Sequence, residues 1–97
     1  MAKIKFSRQA KADLADIDEY SVDQFGQDVA DIYARGFNET FDILRRHPLA
    51  GPEKPELGRA FRCIVHRRHR IFYTVSDDTV LIVRIIHHAR DARRALN

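Results

Sequence analysis

Between residues 8 and 47 the apolar positions recur every three or four residues, and after residue 60 they alternate or run together. The chain therefore reads as a helical half followed by a strand half. The opening "KIKFS" alternates Ile4 and Phe6 with Lys3 and Lys5, the period of a half-buried strand, and Ser7 then offers a helix N-cap. From Arg8 to about Gln24, Ala10, Leu14, Ile17 and Ser21 form one face, while Asp13, Asp16, Asp18, Glu19 and Asp23 form an acidic outer face. Gly26 ends this helix. From about Gln27 to His47, Val29, Ile32, Tyr33, Phe37, Phe41 and Leu44 make a second stripe, with Arg45, Arg46 and His47 in the last turn, where the helix dipole favours cations. Gly36 inside that helix costs up to about 1 kcal/mol relative to alanine and is expected to mark a close approach of the first helix. A short turn between the two helices predicts an antiparallel hairpin. Pro48, Gly51, Pro52 and Pro55 then predict a non-helical loop.

In the second half, "AFRCIVHR" places Phe61, Cys63 and Val65 on one face and Arg62, Ile64 and His66 on the other. "RIFYTV" and "TVLIVRII" are rich in β-branched and aromatic residues, and Ser76, Asp77 and Asp78 between them read as a turn, so three strands form a meander. The expected fold is α+β: an N-terminal strand, an antiparallel two-helix hairpin packed on an antiparallel β-meander, and a short C-terminal helix or tail, "ARDARRALN". At 97 residues this is a single domain, residues 1–97. The apolar run at 80–83, continued by Ile85 and Ile86, is far short of the roughly 20 residues a bilayer requires, and the N-terminus carries no signal-peptide hydrophobic segment. The expected location is the cytoplasm. A single cysteine, Cys63, excludes an internal disulfide and reads as a small buried residue on a strand.

Charge divides the chain more sharply than its net of +3 indicates. Residues 1–58 carry eight Lys/Arg against eleven Asp/Glu, a net of −3, and residues 59–97 carry nine Arg against three Asp, a net of +6. All the basic residues of the second half other than histidine are arginines, whose planar fork holds carboxylates and phosphates bidentately. The competing reading is a solvated basic face. No phosphate loop, dinucleotide fingerprint, zinc-binding HExxH helix or nucleophile elbow is present. His66, His69, His87 and His88 are the one histidine cluster, but His87 and His88 are adjacent and on a strand would point to opposite faces, so no metal and no cofactor are expected. A metal-free ribonuclease needs a base, an acid and cations on the phosphorane. Arg62, Arg70 and His88 are the candidates for that catalytic role if they converge at one end of the meander. The alternative is that Arg62, Arg70 and Arg84 pair with carboxylates of the same fold or of a bound peptide.

The P-x-x-G loop at Pro48 to Gly51, the Glu56-Leu57-Gly58 turn with Arg62 four residues on, "RIFY" at Arg70 to Tyr73 and "RIIHHARD" at Arg84 to Asp91 occur in an order that resembles the toxins of the ParE group in the RelE/ParE superfamily. The resemblance spans nearly the whole chain. It implies a type II toxin–antitoxin module in which a ParD-like antitoxin wraps the toxin, and a fold of antiparallel sheet and helical hairpin. RelE-like members cut mRNA on the ribosome, whereas ParE-like members inhibit DNA gyrase. In the nucleases, basic sheet residues are joined by a C-terminal tyrosine, sometimes with a histidine. Here Arg70 and His88 match, but Ala89 follows His88, no tyrosine occurs after Tyr73, and no lysine occurs after Lys54. The resemblance thus implies a non-enzymatic gyrase inhibitor, with a ribosome-dependent mRNA endonuclease as the alternative and an inert antitoxin binder as a third class. Arg84, Arg90, Arg93 and Arg94 are the expected target-binding residues, and Arg62 and Arg70 the expected antitoxin-binding ones. Direct nucleic-acid binding and a membrane are not expected.

Overall fold

Ser7 ties the first strand to the first helix and to the sheet at once: its hydroxyl accepts the Ala10 N–H at 3.0 Å as an N-cap and donates to the Val83 carbonyl at 2.6 Å. From this anchor the computed structural model, which describes residues 1–58 and 60–96, runs β1 (Lys3–Phe6), α1 (Arg8–Phe25), α2 (Gln27–Arg46), a single 3-10 turn (Pro55–Leu57), β2 (Arg62–His66), β3 (His69–Ser76), β4 (Thr79–His87) and α3 (Ala92–Leu96). Arg59 and Asn97, the last residue of the expected C-terminal helix or tail, lie outside the described residues. Gly26 separates α1 from α2 at φ 86°, a backbone state with little cost for glycine. The loop expected to be non-helical contains the 3-10 turn, with Pro55 at its start, where a missing N–H costs nothing.

The strands form one sheet in the order β1-β4-β3-β2: β2, β3 and β4 are the antiparallel meander, and β1 adds to β4 in parallel. Alternation along β4 breaks at Val83. Phe72 pairs with Arg84 but Tyr73 pairs with Ile82, so Val83 is the extra residue of a bulge. The consequence is a change of face: Ile82 and Ile85, three apart, both enter the hairpin-side core, while Ile86 enters the opposite side.

Both faces of the sheet are covered. On one, Ile71, Tyr73, Val80, Ile82 and Ile85 pack with Phe37, Phe41 and Leu44 of α2 and Ala10 of α1. On the other, Cys63, Phe72 and Ile86 pack beneath Ala92 of α3, with Leu57 of the 3-10 turn and Leu96 beside them. The α2 stripe is displaced from the expected one. Val29 and Ile32 are 46% and 56% exposed, and the buried face runs through Ala30, Phe37, Thr40, Phe41 and Leu44. Around the hairpin turn the buried positions are the small Ser21 and Ala30, which line the space between α1 and α2. Gly36 meets a different neighbour from the one expected: a Cβ there would lie 2.4 Å from the His66 ring of β2, so the close approach is of helix to sheet. Among the described residues no helix is long and apolar enough to cross a membrane.

Candidate target- and antitoxin-binding surface

The arginines of the second half separate into those the fold consumes and those it leaves open. Arg84 is consumed. Its Nε and Nη2 donate to the two carboxylate oxygens of Asp13 at 2.9 and 3.0 Å, and its Nη1 donates to the Ala95 carbonyl at 3.0 Å. β1 ends opposite Ile82, so the edge of β4 is open beyond it, and Asp13 also accepts the Ile85 N–H at 2.9 Å there. Asp13 is thus not on the acidic outer face of α1; both side chains of the pair are only 12% exposed. The hydrogen-bonded Asp13 carboxylate raises the Arg84 pKa above its usual value, so the guanidinium remains charged. The expected target contact at Arg84 is corrected to a strut joining α1, β4 and α3.

Arg62 and Arg70 do not converge. Arg62 lies opposite Tyr73, on the hairpin side, and Arg70 lies opposite Val65 and Ile86, on the α3 side. Arg62 donates to the Gly51 carbonyl at 2.8 Å and sits 3.5 Å from Glu53, while the buried Tyr73 hydroxyl donates to the Pro48 carbonyl and accepts the Gly51 N–H, both at 2.8 Å. The P-x-x-G loop is therefore a structural element clamped to the sheet, and burial raises the Tyr73 pKa. A Cβ at Gly51 would lie 2.6 Å from the Cys63 carbonyl oxygen. Tyr73→Phe leaves the buried Gly51 N–H and the half-buried Pro48 carbonyl without that partner, and is expected to lower stability by about 1–3 kcal/mol in urea unfolding.

Arg70 has unspent capacity. Its Nη2 donates to the Arg90 carbonyl and its guanidinium stacks 5.4 Å from the Phe72 ring centre, but its Nε is buried with no hydrogen-bond partner. It lines a cavity of about 280 Å³ with Lys54, Leu57, Cys63, Val65 and Phe72. Burial raises the Cys63 thiol pKa, which keeps it a packing group. A second cavity, of about 200 Å³, lies between α1 and α2 and is lined by Leu14, Ile17, Ala30, Tyr33, Phe37 and Phe41.

The histidines form an unexpected row. His66, His69 and His87 are register partners across β2, β3 and β4, and the Tyr33 hydroxyl of α2 lies 2.6 Å from His69 Nδ1. His88 leaves the strand, so its ring lies 4.4 Å from that of His87, centroid to centroid, and the two do not point to opposite faces. Among the described residues no group of three histidine, cysteine or carboxylate side chains is placed to hold a metal. Burial first, and then the neighbouring His87 and His66, push the His69 pKa down to about 4, and burial also lowers that of His66. The unfolded chain, with histidine near 6.5, binds more protons between those values. Stability is therefore expected to fall as pH drops from about 6.5 to about 4, and His69→Gln should flatten that slope in a Tm-against-pH series.

Arg90, Arg93 and Arg94 are exposed, with no ion pair among the described residues. His88, also exposed, holds the Arg68 carbonyl with its backbone N–H at 2.8 Å. No tyrosine stands beside Arg70 and His88 in the structure: Tyr73 is clamped to the P-x-x-G loop and Tyr33 lies with the hairpin-side histidines.

Known proteins place this architecture. The chain is 35% identical over 96 residues to "Toxin ParE1" of Caulobacter vibrioides, covering 99% of both, and 30% identical over 91 residues to "Toxin ParE1" of Mycobacterium tuberculosis, covering 93% of both. Its fold superposes on "Chromosomal ParDE TA system from P. aeruginosa" with a TM-score of 0.76 at 24% identity, covering 90% of this chain and 96% of that one. It also superposes on a YoeB-YefM toxin–antitoxin complex from Staphylococcus aureus with a TM-score of 0.56 at 23% identity, covering 91% and 98%. Residues 4–92 match the family described as ParE toxin of type II toxin-antitoxin system, parDE, and the chain belongs to that family.

Proposed function

We propose that this toxin acts by binding DNA gyrase, without chemistry of its own, and is neutralised by a ParD-like antitoxin. The observation that carries the reading is the division of the arginines. Arg90, Arg93 and Arg94 are exposed on one short segment with no ion pair among the described residues, whereas Arg84 and Arg62 serve the fold. A surface that retains unneutralised arginines through folding is adapted to an anionic partner. Arg62 and Arg70 lie on opposite faces, which favours binding over an acid–base site built from them with His88.

For the antitoxin, the orphaned Nε of Arg70 in its partly apolar cavity supports a peptide that inserts an apolar side chain beside Phe72 and supplies a carboxylate to the guanidinium. The cavity between α1 and α2 supports a second apolar anchor. Arg62, turned to the P-x-x-G loop, retains room for an acid only at its exposed edge. Induction with pulse labelling of DNA and protein synthesis tests the target. The gyrase reading expects DNA synthesis to stop first, arrest of translation within minutes would favour the ribosomal nuclease, and neither effect would mark an inert antitoxin binder.

A further inference from the structure

Hydrogen bonds clasp the β2–β3 turn and the start of β3 to the β4–α3 loop. The His88 N–H donates to the Arg68 carbonyl at 2.8 Å, the Arg70 guanidinium donates to the Arg90 carbonyl, and the Arg90 N–H donates to the His87 carbonyl at 2.9 Å. These bonds hold Arg67 and Arg68 of one loop beside Arg90 of the other. All three are exposed and none has an ion pair among the described residues. The nearby carboxylate, Asp91, is turned to the Arg93 N–H at 3.0 Å.

Arg67 is also held at a conformational cost. It occupies the first position of a two-residue hairpin turn at φ 54°, where glycine is the usual residue. The other hairpin of the sheet has the same φ at Asp77, a residue type that tolerates it better. A strained arginine at the tip of a loop already rich in positive charge has no packing reason to be there.

We infer that Arg67, Arg68 and Arg90 bind the phosphate backbone of duplex DNA. The chemistry of the surface selects this ligand over an acidic protein. Beside residues 66–70 and 87–94 the one exposed large apolar side chain among the described residues is Val65, whereas a protein interface draws its energy from clusters of buried aromatic and aliphatic anchors. A polyphosphate needs only arginines that displace its condensed counterions. The choice of duplex rests on the gyrase reading, because gyrase holds duplex DNA. Duplex binding departs from the sequence reading, which expected no direct nucleic-acid binding, since Arg67 and Arg68 are brought to Arg90 only by the fold.

The test is fluorescence anisotropy of the purified chain with a labelled duplex of about 25 base pairs, from about 50 to about 200 mM salt. Three neutralised phosphates predict that log affinity falls with log salt at a slope of about −3. Arg67→Gly should reduce that slope by about one while raising Tm by a few degrees, since glycine relieves the strained φ. Arg67→Gly with Arg68→Ala should reduce it by about two. An absence of duplex binding at about 50 mM salt would overturn the inference, as would an unchanged slope in the double variant. Displacement of DNA by a glutamate peptide of equal charge, or tighter binding of single-stranded RNA, would overturn the choice of ligand. Inhibition of gyrase by a preparation that does not bind DNA would sink this site and leave the proposed function standing; DNA binding without gyrase inhibition would do the reverse.

Discussion

Asp13→Ala is expected to lower folding stability by about 3–5 kcal/mol, as much as truncating a fully buried core side chain. The change removes both carboxylate partners of Arg84 and the acceptor of the Ile85 N–H. Arg84 keeps only the Ala95 carbonyl, and a guanidinium whose side chain is 12% exposed cannot regain full hydration without pulling α3 from the sheet. A domain of this size has roughly 5–15 kcal/mol of stability in total, so the variant should sit close to unfolding at 37 °C. Urea unfolding of the single variants and of Asp13→Leu with Arg84→Met separates the contributions. The double variant should recover most of the loss, because removing both charges avoids a stranded one. A single-variant loss below about 1 kcal/mol would show that the pair is not the strut described here.

The second large effect is functional. Replacing Arg90, Arg93 and Arg94 together by alanine is expected to abolish toxicity on induction while leaving Tm nearly unchanged. Loss of three charge-assisted contacts should weaken target affinity about 100-fold to 1,000-fold. None of the three has an ion pair among the described residues, and each is exposed, so the fold loses little. Arg84→Ala is the informative contrast: it should also lose toxicity, but with a collapse in stability. Full toxicity in a folded triple variant would remove this segment from the target contact.

Much of the fold was legible in the residues. The Ser7 cap, the Gly26 break and the three-strand meander with its turn at Asp77 and Asp78 all follow from local propensity and period, which act within a few residues. The family could also be read, because its motifs are spread over nearly the whole chain and keep their order. What was hidden depends on contacts distant in sequence. The helical wheel placed Asp13 among outward acids, and only the early end of β1 explains why a carboxylate is needed at Ile85. The stripe through Val29 and Ile32 has the right period, but the buried face of α2 runs through Ala30 and Phe37 instead. Gly36 did mark a close approach, yet no local signal named His66 as the neighbour. The bulge at Val83 reversed the face of everything after it in β4, including Arg84.

The surface was legible as charge but not as assignment. Arginine content drew attention to the second half, yet it could not tell the strut at Arg84 or the loop clamp at Arg62 from the exposed group at Arg90, Arg93 and Arg94. That distinction is set by which carboxylates and carbonyls the fold brings within about 3 Å. Arg67 and Arg68 gave no signal beyond composition, since their partner loop is 20 residues away in sequence.

The central claim is that the toxin disables gyrase by binding it through an arginine surface. The most direct measurement adds the purified chain to gyrase, ATP and relaxed plasmid and follows supercoiling. The account predicts dose-dependent loss of supercoiling by the wild-type chain, reversed by a ParD-like antitoxin and absent with the folded Arg90, Arg93 and Arg94 triple-alanine variant. Undiminished supercoiling at saturating wild-type toxin would contradict it.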